Sequence, residues 1–262
     1  MKRMNTIYWT LTVLLVAHRH VNGYNRLQEI KTLDGYLNIC MDGIYQKKVP
    51  GPEDLYGQCA GWKDRSCCYS NTTQLLQSQE NWQGFNLSHC GTPLSKMCRG
   101  HFIQNYCFYE CSPNVGPWLV KVNGMETRKE RFYKVPLCKK ECDLWWMDCK
   151  DDYTCVKDWL TDFNVETGTN VCPKHSSCKK FSEIYSSSTD FCQSVFDDSY
   201  EVVPMTEPCM LLSFHNTNPN DKVAKQQAES YFVNQSNCVK IEKILGVLLL
   251  GVFFHTLGIL FN

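Results

Sequence analysis

The residues with the greatest chemical capacity in this chain are its cysteines. Seventeen occur among its 262 residues, all between Cys40 and Cys238. Cysteine can bind metal ions, attack as a nucleophile or form disulfides. Zinc sites usually contain closely spaced ligand pairs such as C-x-x-C, and that spacing is absent here, while the seven histidines are scattered. The cysteines therefore predict structural disulfides, no metal site and an oxidising compartment.

Catalytic patterns do not accompany the cysteines. Their number is odd, so one lacks an intramolecular partner. Ser112 and Ser199 lie in no nucleophile-elbow pattern. We predict that the protein is not an enzyme and uses no cofactor. The 27 basic and 27 acidic residues give a formal net charge of zero, which argues against nucleic acid as a partner.

Aromatic side chains are the second notable group. They make up 13% of the residues and include Trp118, Trp145, Trp146 and Trp159. Aromatic residues usually form the core, and we expect this of Trp145 and Trp146. In a secreted domain, such side chains can also enclose a flat heterocycle.

The elements that must position these residues are mainly helical. In the segment 136–149, Cys138, Cys142, Trp145, Trp146 and Cys149 recur at helical spacing, so one face is predicted to point inward while the opposite face is charged. The segment 220–231 also has a helical pattern, and 202–203 is expected to supply strand residues. Prolines mark loop boundaries.

Both ends carry processing patterns. A basic start and an apolar run over 7–17 predict a signal peptide, residues 1–23, with an uncleaved anchor as the alternative. The apolar segment 244–261 follows a polar stretch of small residues, which is typical of a glycosylphosphatidylinositol (GPI) signal. We predict attachment at Asn234, with Ser236 as the alternative, and removal of 235–262. A single-span anchor is the competing interpretation.

This processing leaves one ectodomain, residues 24–234, on the extracellular face of the plasma membrane. Loss of Cys238 leaves sixteen cysteines, enough for eight disulfides. We predict a disulfide-rich α+β fold, mainly helical, with long loops and a few short strands. Sequons at Asn71 and Asn86 predict glycosylation.

Several motifs resemble the folate receptor family, which also contains riboflavin-binding protein and the sperm receptor Juno. The longest is HFIQNYCFYECSPNVGPW at 101–118, and others are PGPED at 50–54, WKDRSCC at 62–68, RKER at 128–131 and VPLC at 135–138. The resemblance runs from about Leu37 to Val223. It implies the pairs Cys40–Cys67, Cys59–Cys107, Cys68–Cys111, Cys90–Cys178, Cys98–Cys149, Cys138–Cys209, Cys142–Cys192 and Cys155–Cys172.

The resemblance also implies a ligand pocket. The matching positions are Tyr109 and Phe196 for stacking on a pterin ring, Arg128, Arg131 and Ser199 for its carbonyl group, and Asn105 where the family has an aspartate, with Trp159 and Phe163 at the glutamate-tail end. Asparagine keeps one carbonyl acceptor but loses the charge. At the tail end, the family's cation and two of three aromatic contacts are missing.

Two functions of different classes follow from this resemblance. One is a surface receptor that binds a vitamin for uptake, namely folate, a related pterin or riboflavin. The other is a Juno-like adhesion receptor that has lost folate binding and recognises a protein partner. A third hypothesis is a surface protein with another small ligand or with a structural role only. An alternative account of Arg128 and Arg131 makes them, with Glu130, solvated surface charges.

Overall fold

The computed structural model describes residues 30, 32–78, 81–82, 84–122 and 128–231. The predicted signal peptide, the proposed attachment residue Asn234, Cys238 and the segment 235–262 lie outside these residues. Within the described ranges, we find no helix with the length and apolar character that a membrane span requires.

Short helices and short strands alternate along the chain. The α-helices are α1 (Leu33–Leu37), α2 (Ser70–Ser78), α3 (Lys96–Cys111), α4 (Lys139–Cys149), α5 (Phe181–Ile184), α6 (Ser188–Ser194) and α7 (220–231). Two 3-10 helices span Gly57–Trp62 and Gly116–Trp118. The helix predicted within the segment 136–149 is confirmed from Lys139 onward, whereas residues 136–138 form part of a strand. The helix predicted at 220–231 is also confirmed.

The strands pair two by two and do not form a common sheet. They are β1 (Gln46–Gly51), β2 (Ser66–Cys68), β3 (Asn81–Trp82), β4 (Phe85–Asn86), β5 (Leu119–Lys121), β6 (Glu130–Phe132), β7 (Val135–Cys138), β8 (Tyr153–Thr154), β9 (Lys179–Lys180) and β10 (Tyr200–Val203). The pairs are β1–β2, β3–β4, β5–β6, β8–β9 and β7–β10. Only the last of these pairs is parallel.

Helix α3 is the central element. The side chain of Ser95 caps it by accepting a hydrogen bond from the Cys98 backbone N–H. Its buried face consists largely of aromatic residues and cysteines, which recur every three or four positions. Its disulfides reach α4 through Cys149, the first 3-10 helix through Cys59 and β2 through Cys68. The helix is therefore cross-linked on three sides.

The disulfide framework is complete in the described part of the chain. The structure joins Cys40–Cys67, Cys59–Cys107, Cys68–Cys111, Cys90–Cys178, Cys98–Cys149, Cys138–Cys209, Cys142–Cys192 and Cys155–Cys172, the pairs that the resemblance implied. Together with the helices and short strands, these bonds confirm the predicted disulfide-rich α+β fold.

The sulfur atoms of Cys90, Cys155, Cys172 and Cys178 come within 4.8 Å of one another. They belong to two neighbouring disulfides. A metal ion would need thiolates as ligands, and these four sulfurs are oxidised.

The inward face of α4 follows the predicted spacing. Cys138, Cys142, Trp145 and Cys149 are buried, while Trp146 is half-buried against the edge of the core. Trp145 packs edge-on against Phe102 of α3, with ring centroids 5.1 Å apart. Helices α3 and α4 thus meet through aromatic contacts as well as through a disulfide.

Candidate ligand-binding cavity

A cavity of about 330 Å³ opens beside α3. This volume lies at the lower end of the range of about 300–1,000 Å³ that is typical of small-molecule sites. Half of its lining residues are aromatic. The lining residues are Met41, Tyr45, Gln46, Trp82, Phe85, Asn105, Tyr106, Tyr109, Glu110, Arg128, Phe132, Trp159, Leu160, Val165, Asn170, Phe196, Ser199 and Tyr200.

One side of the cavity is a face of α3. Asn105, Tyr106, Tyr109 and Glu110 line it, with Tyr109 four positions after Asn105 and Glu110 four positions after Tyr106. Because α3 is held by disulfides at Cys107 and Cys111, within and just beyond this stretch, the face has a rigid support. The helix thus presents two aromatic rings, an amide and a carboxyl group to the same space.

A second side is built where the segment around residue 43 meets β6. Gly43 and Arg128 form an antiparallel bridge, and the Asp42 backbone N–H donates a 2.8 Å hydrogen bond to the carboxylate of Glu130. These contacts bring Gln46 and Arg128 to the cavity from distant parts of the sequence.

A third side depends on a turn with unusual backbone angles. Asp197 and Asp198 have φ values of 45° and 53°, in the left-handed region that few non-glycine residues adopt. This turn lies between Phe196 and Ser199, which both line the cavity. Arg131 binds the turn: its Nη1 donates to the Asp197 carbonyl over 2.7 Å, and its Nη2 lies 3.0 Å from the Asp197 carboxylate. Arg131 therefore stabilises the strained turn.

The polar groups on α3 form two clusters. At the first, Arg128 donates a hydrogen bond to the Tyr109 hydroxyl, and Gln46 donates one to the Glu110 carboxyl. Burial raises the pKa of Glu110 to about 8, although the nearby Arg128 charge and the bond from Gln46 oppose this shift. Burial likewise raises the pKa of Tyr109 to about 12. Glu110 is thus mostly protonated at neutral pH.

At the second cluster, the Tyr200 hydroxyl donates a 2.6 Å hydrogen bond to Oδ1 of Asn105. Both side chains are buried, with 1% and 4% of their surface exposed. Burial raises the pKa of Tyr200 well above its ordinary value, so its hydroxyl keeps its proton.

The structure brings most of the predicted ligand-binding residues together. Those that line the cavity are Tyr109, Asn105, Arg128, Ser199, Phe196 and Trp159. Arg131 is outside the wall because its guanidinium binds Asp197. Phe163 packs behind the wall against Phe85 and Trp159. Direct ligand contacts by these two residues stay predictions.

The interpretation of Arg128 and Arg131, with Glu130, as solvated surface charges is wrong. Glu130 and Arg131 are buried, with 9% and 4% exposed, and Arg128 is half-buried at the cavity. Each of the three side chains bonds to a distant part of the chain: Arg128 to Tyr109, Glu130 to Asp42 and Arg131 to Asp197.

Sequence reasoning missed several wall residues. Helical periodicity would have found Tyr106, three positions before Tyr109, and then Glu110, four positions after Tyr106. No local pattern could have found Gln46, which lies 64 positions before its partner Glu110.

The residues 39–212 match the model of the folate receptor family. That range covers well over half of the chain and includes all three sides of the cavity. The chain belongs to the folate receptor family.

Individual relatives agree with this membership. Human folate receptor gamma is 37% identical over 229 residues, which cover 85% of this chain and 93% of that protein. Bovine folate receptor alpha is 39% identical over 201 residues, or 74% and 83% of the two chains. Chicken riboflavin-binding protein is 35% identical over 193 residues, or 71% and 74%. This folate receptor family member is therefore similar to proteins named for two different vitamins, and those relatives are binding proteins.

Proposed function

We propose that this folate receptor family member binds a vitamin with a flat heterocyclic ring, either folate or a related pterin or riboflavin, for cellular uptake. The cavity supports this proposal, because its volume and aromatic wall suit a planar ring and its few polar groups could orient one. The names of the relatives, folate receptor and riboflavin-binding protein, point to the same ligand class.

The test is a titration of the deglycosylated ectodomain with folic acid, 5-methyltetrahydrofolate and riboflavin. Trp82 and Trp159 line the cavity, so a bound ring should quench tryptophan fluorescence. A saturable signal at micromolar ligand is expected. Its absence with all three ligands would contradict vitamin binding.

Arg128→Ala tests whether this cavity is the site. Loss of a charged hydrogen-bonding group costs about 1.5–3 kcal/mol, which is roughly a ten- to hundredfold loss of affinity. Lys174→Ala removes a cation from an exposed position and is the matched control. Undiminished affinity in Arg128→Ala would show that the ligand binds outside this cavity.

We further propose that the protein is GPI-anchored at Asn234 on the extracellular face of the plasma membrane. The pairing of all sixteen described cysteines supports this, because it leaves Cys238 without a partner among them. Phosphatidylinositol-specific phospholipase C should release the protein from cells. Retention after treatment would favour a spanning anchor.

A Juno-like adhesion receptor is the second candidate. The observation that favours it is an exposed apolar surface formed by Leu144, Met147 and Met205, which are 48–58% exposed. Surface plasmon resonance against gamete surface proteins tests it. A saturable response that Met147→Glu abolishes, together with no vitamin signal, would establish adhesion over vitamin binding.

A further inference from the structure

We propose that Asn105 makes the cavity select a ring whose buried edge carries carbonyl oxygens over a ring that carries an amino group there. The ligand class would then be a fused-ring dione, such as a pteridinedione or an isoalloxazine. This inference rests on the proposed vitamin-binding function and specifies the chemistry of the same cavity.

The argument begins with the two ends of the Asn105 amide. Oδ1 accepts the 2.6 Å hydrogen bond from Tyr200. Nδ2 has no acceptor among the described residues, and it is not sealed away from the cavity that Asn105 lines. The side chain is only 4% exposed, so bulk water has little access to Nδ2, and a molecule bound in the cavity is the acceptor that this donor can reach.

The opposite orientation of the amide is less favourable. If Nδ2 donated to Tyr200, the phenolic O–H would need another acceptor, and the described residues offer it none. Both side chains line the cavity, but Tyr200 is less exposed than Asn105, at 1% against 4%, so an unpaired hydroxyl would be the costlier of the two donors to leave without a partner. In the orientation that the structure shows, the hydroxyl is satisfied and the remaining donor points to accessible space.

The other polar wall groups fit the same ligand edge. Arg128 can only donate, and Ser199 offers a hydroxyl group that can donate to a carbonyl. Glu110 is the one carboxyl group among the wall residues, and it already accepts a hydrogen bond from Gln46. An amino group opposite Asn105 would place two donors face to face. A carbonyl oxygen would accept from Nδ2.

The cleanest probes are pterin and lumazine. The two bicyclic rings have the same size, and lumazine carries a carbonyl oxygen where pterin carries an amino group. An unpaired buried donor costs enough to change affinity by about ten- to a hundredfold. We expect the native protein to bind lumazine more tightly than pterin by a factor in that range.

Asn105→Asp should reverse this preference. One carboxylate oxygen would still accept from Tyr200, and the other would face the cavity as an acceptor. Asn216→Asp adds the same charge at an exposed position and is the matched control. Both variants are compared with the native protein by the fluorescence titration at neutral pH.

The outcomes separate the two proposals. Reversal of the lumazine-to-pterin ratio in Asn105→Asp, but not in Asn216→Asp, supports the selectivity. Tighter binding of pterin by the native protein, or an unchanged ratio in Asn105→Asp, overturns it. Binding of riboflavin or folic acid without binding of either small ring also overturns it. If none of these ligands gives a binding signal, the vitamin-binding function itself is overturned.

Discussion

Replacing Glu110 with glutamine should make the protein more stable at neutral pH. The native carboxyl group is 4% exposed, and burial raises its pKa from 4.5 to about 8. Because the group binds its proton more tightly in the folded state, the unfolded state loses this proton first as the pH rises. Native stability therefore falls between about pH 4.5 and pH 8.

The magnitude follows from the size of this window. Each pKa unit corresponds to about 1.36 kcal/mol. At pH 7, the carboxyl group has crossed most of the window, so it lowers the free energy of unfolding by about 3 kcal/mol relative to pH 4. Glutamine does not titrate, and its carbonyl oxygen can still accept the hydrogen bond from Gln46.

The assay is urea unfolding of the disulfide-intact, ligand-free ectodomain at pH 4, 6, 7 and 8. Stability of Glu110→Gln minus that of the native protein should grow with pH and reach about 3 kcal/mol at pH 7. Glu207→Gln removes a carboxylate from the exposed surface and controls for net charge. Parallel pH profiles of the native protein and Glu110→Gln would refute the reasoning.

Three further perturbations test the framework around the cavity. Serine at both Cys155 and Cys172 opens a loop with a sequence separation of 17 and should cost about 3 kcal/mol in chemical unfolding; a loss below 1 kcal/mol would contradict this. Gly116→Ala places its Cβ against a backbone carbonyl and should lower the free energy of unfolding by about 1–3 kcal/mol. Gly51→Ala, whose Cβ meets no atom within 4 Å, is the control, and equal melting temperatures of the two variants would contradict the prediction. For Asp190, partial burial is outweighed by hydrogen bonds from lysine and serine groups that lower its pKa to about 2, so its contribution is present above pH 3.8 and lost as the pH falls toward 2. Asp190→Asn should therefore melt below the native protein at pH 7 and converge with it at pH 2, and a gap that persists at pH 2 would argue against this.

The candidate site shows how far local patterns reach. The resemblance implied Asn105 and Tyr109 as ligand-binding positions, and both lie on one wall of the cavity because a helix places residues four positions apart on the same face. The same logic could not distinguish Arg128 from Arg131. Both belong to one charged run, yet Arg128 lines the cavity while Arg131 binds the turn at Asp197.

The pairing of the cysteines is a second feature that local sequence patterns could not predict. Their number and spacing predicted an extracytosolic, cross-linked fold, but many pairings are compatible with sixteen cysteines. The resemblance to the folate receptor family supplied the pairs that the structure contains, such as Cys90–Cys178 across 88 positions.

By itself, the sequence identified the family, and it predicted an oxidising compartment and the positions that face one another along each helix. These properties depend on composition and on motifs and periodicity within short segments, which can be recognised without knowing the long-range contacts. Tertiary structure alone decided that Tyr200 occupies the carbonyl oxygen of Asn105, 95 positions away. The chemistry that the cavity offers a ligand depends on that contact. Because this hydrogen bond between distant residues occupies the amide oxygen, the amide nitrogen is the group that remains to bind a ligand.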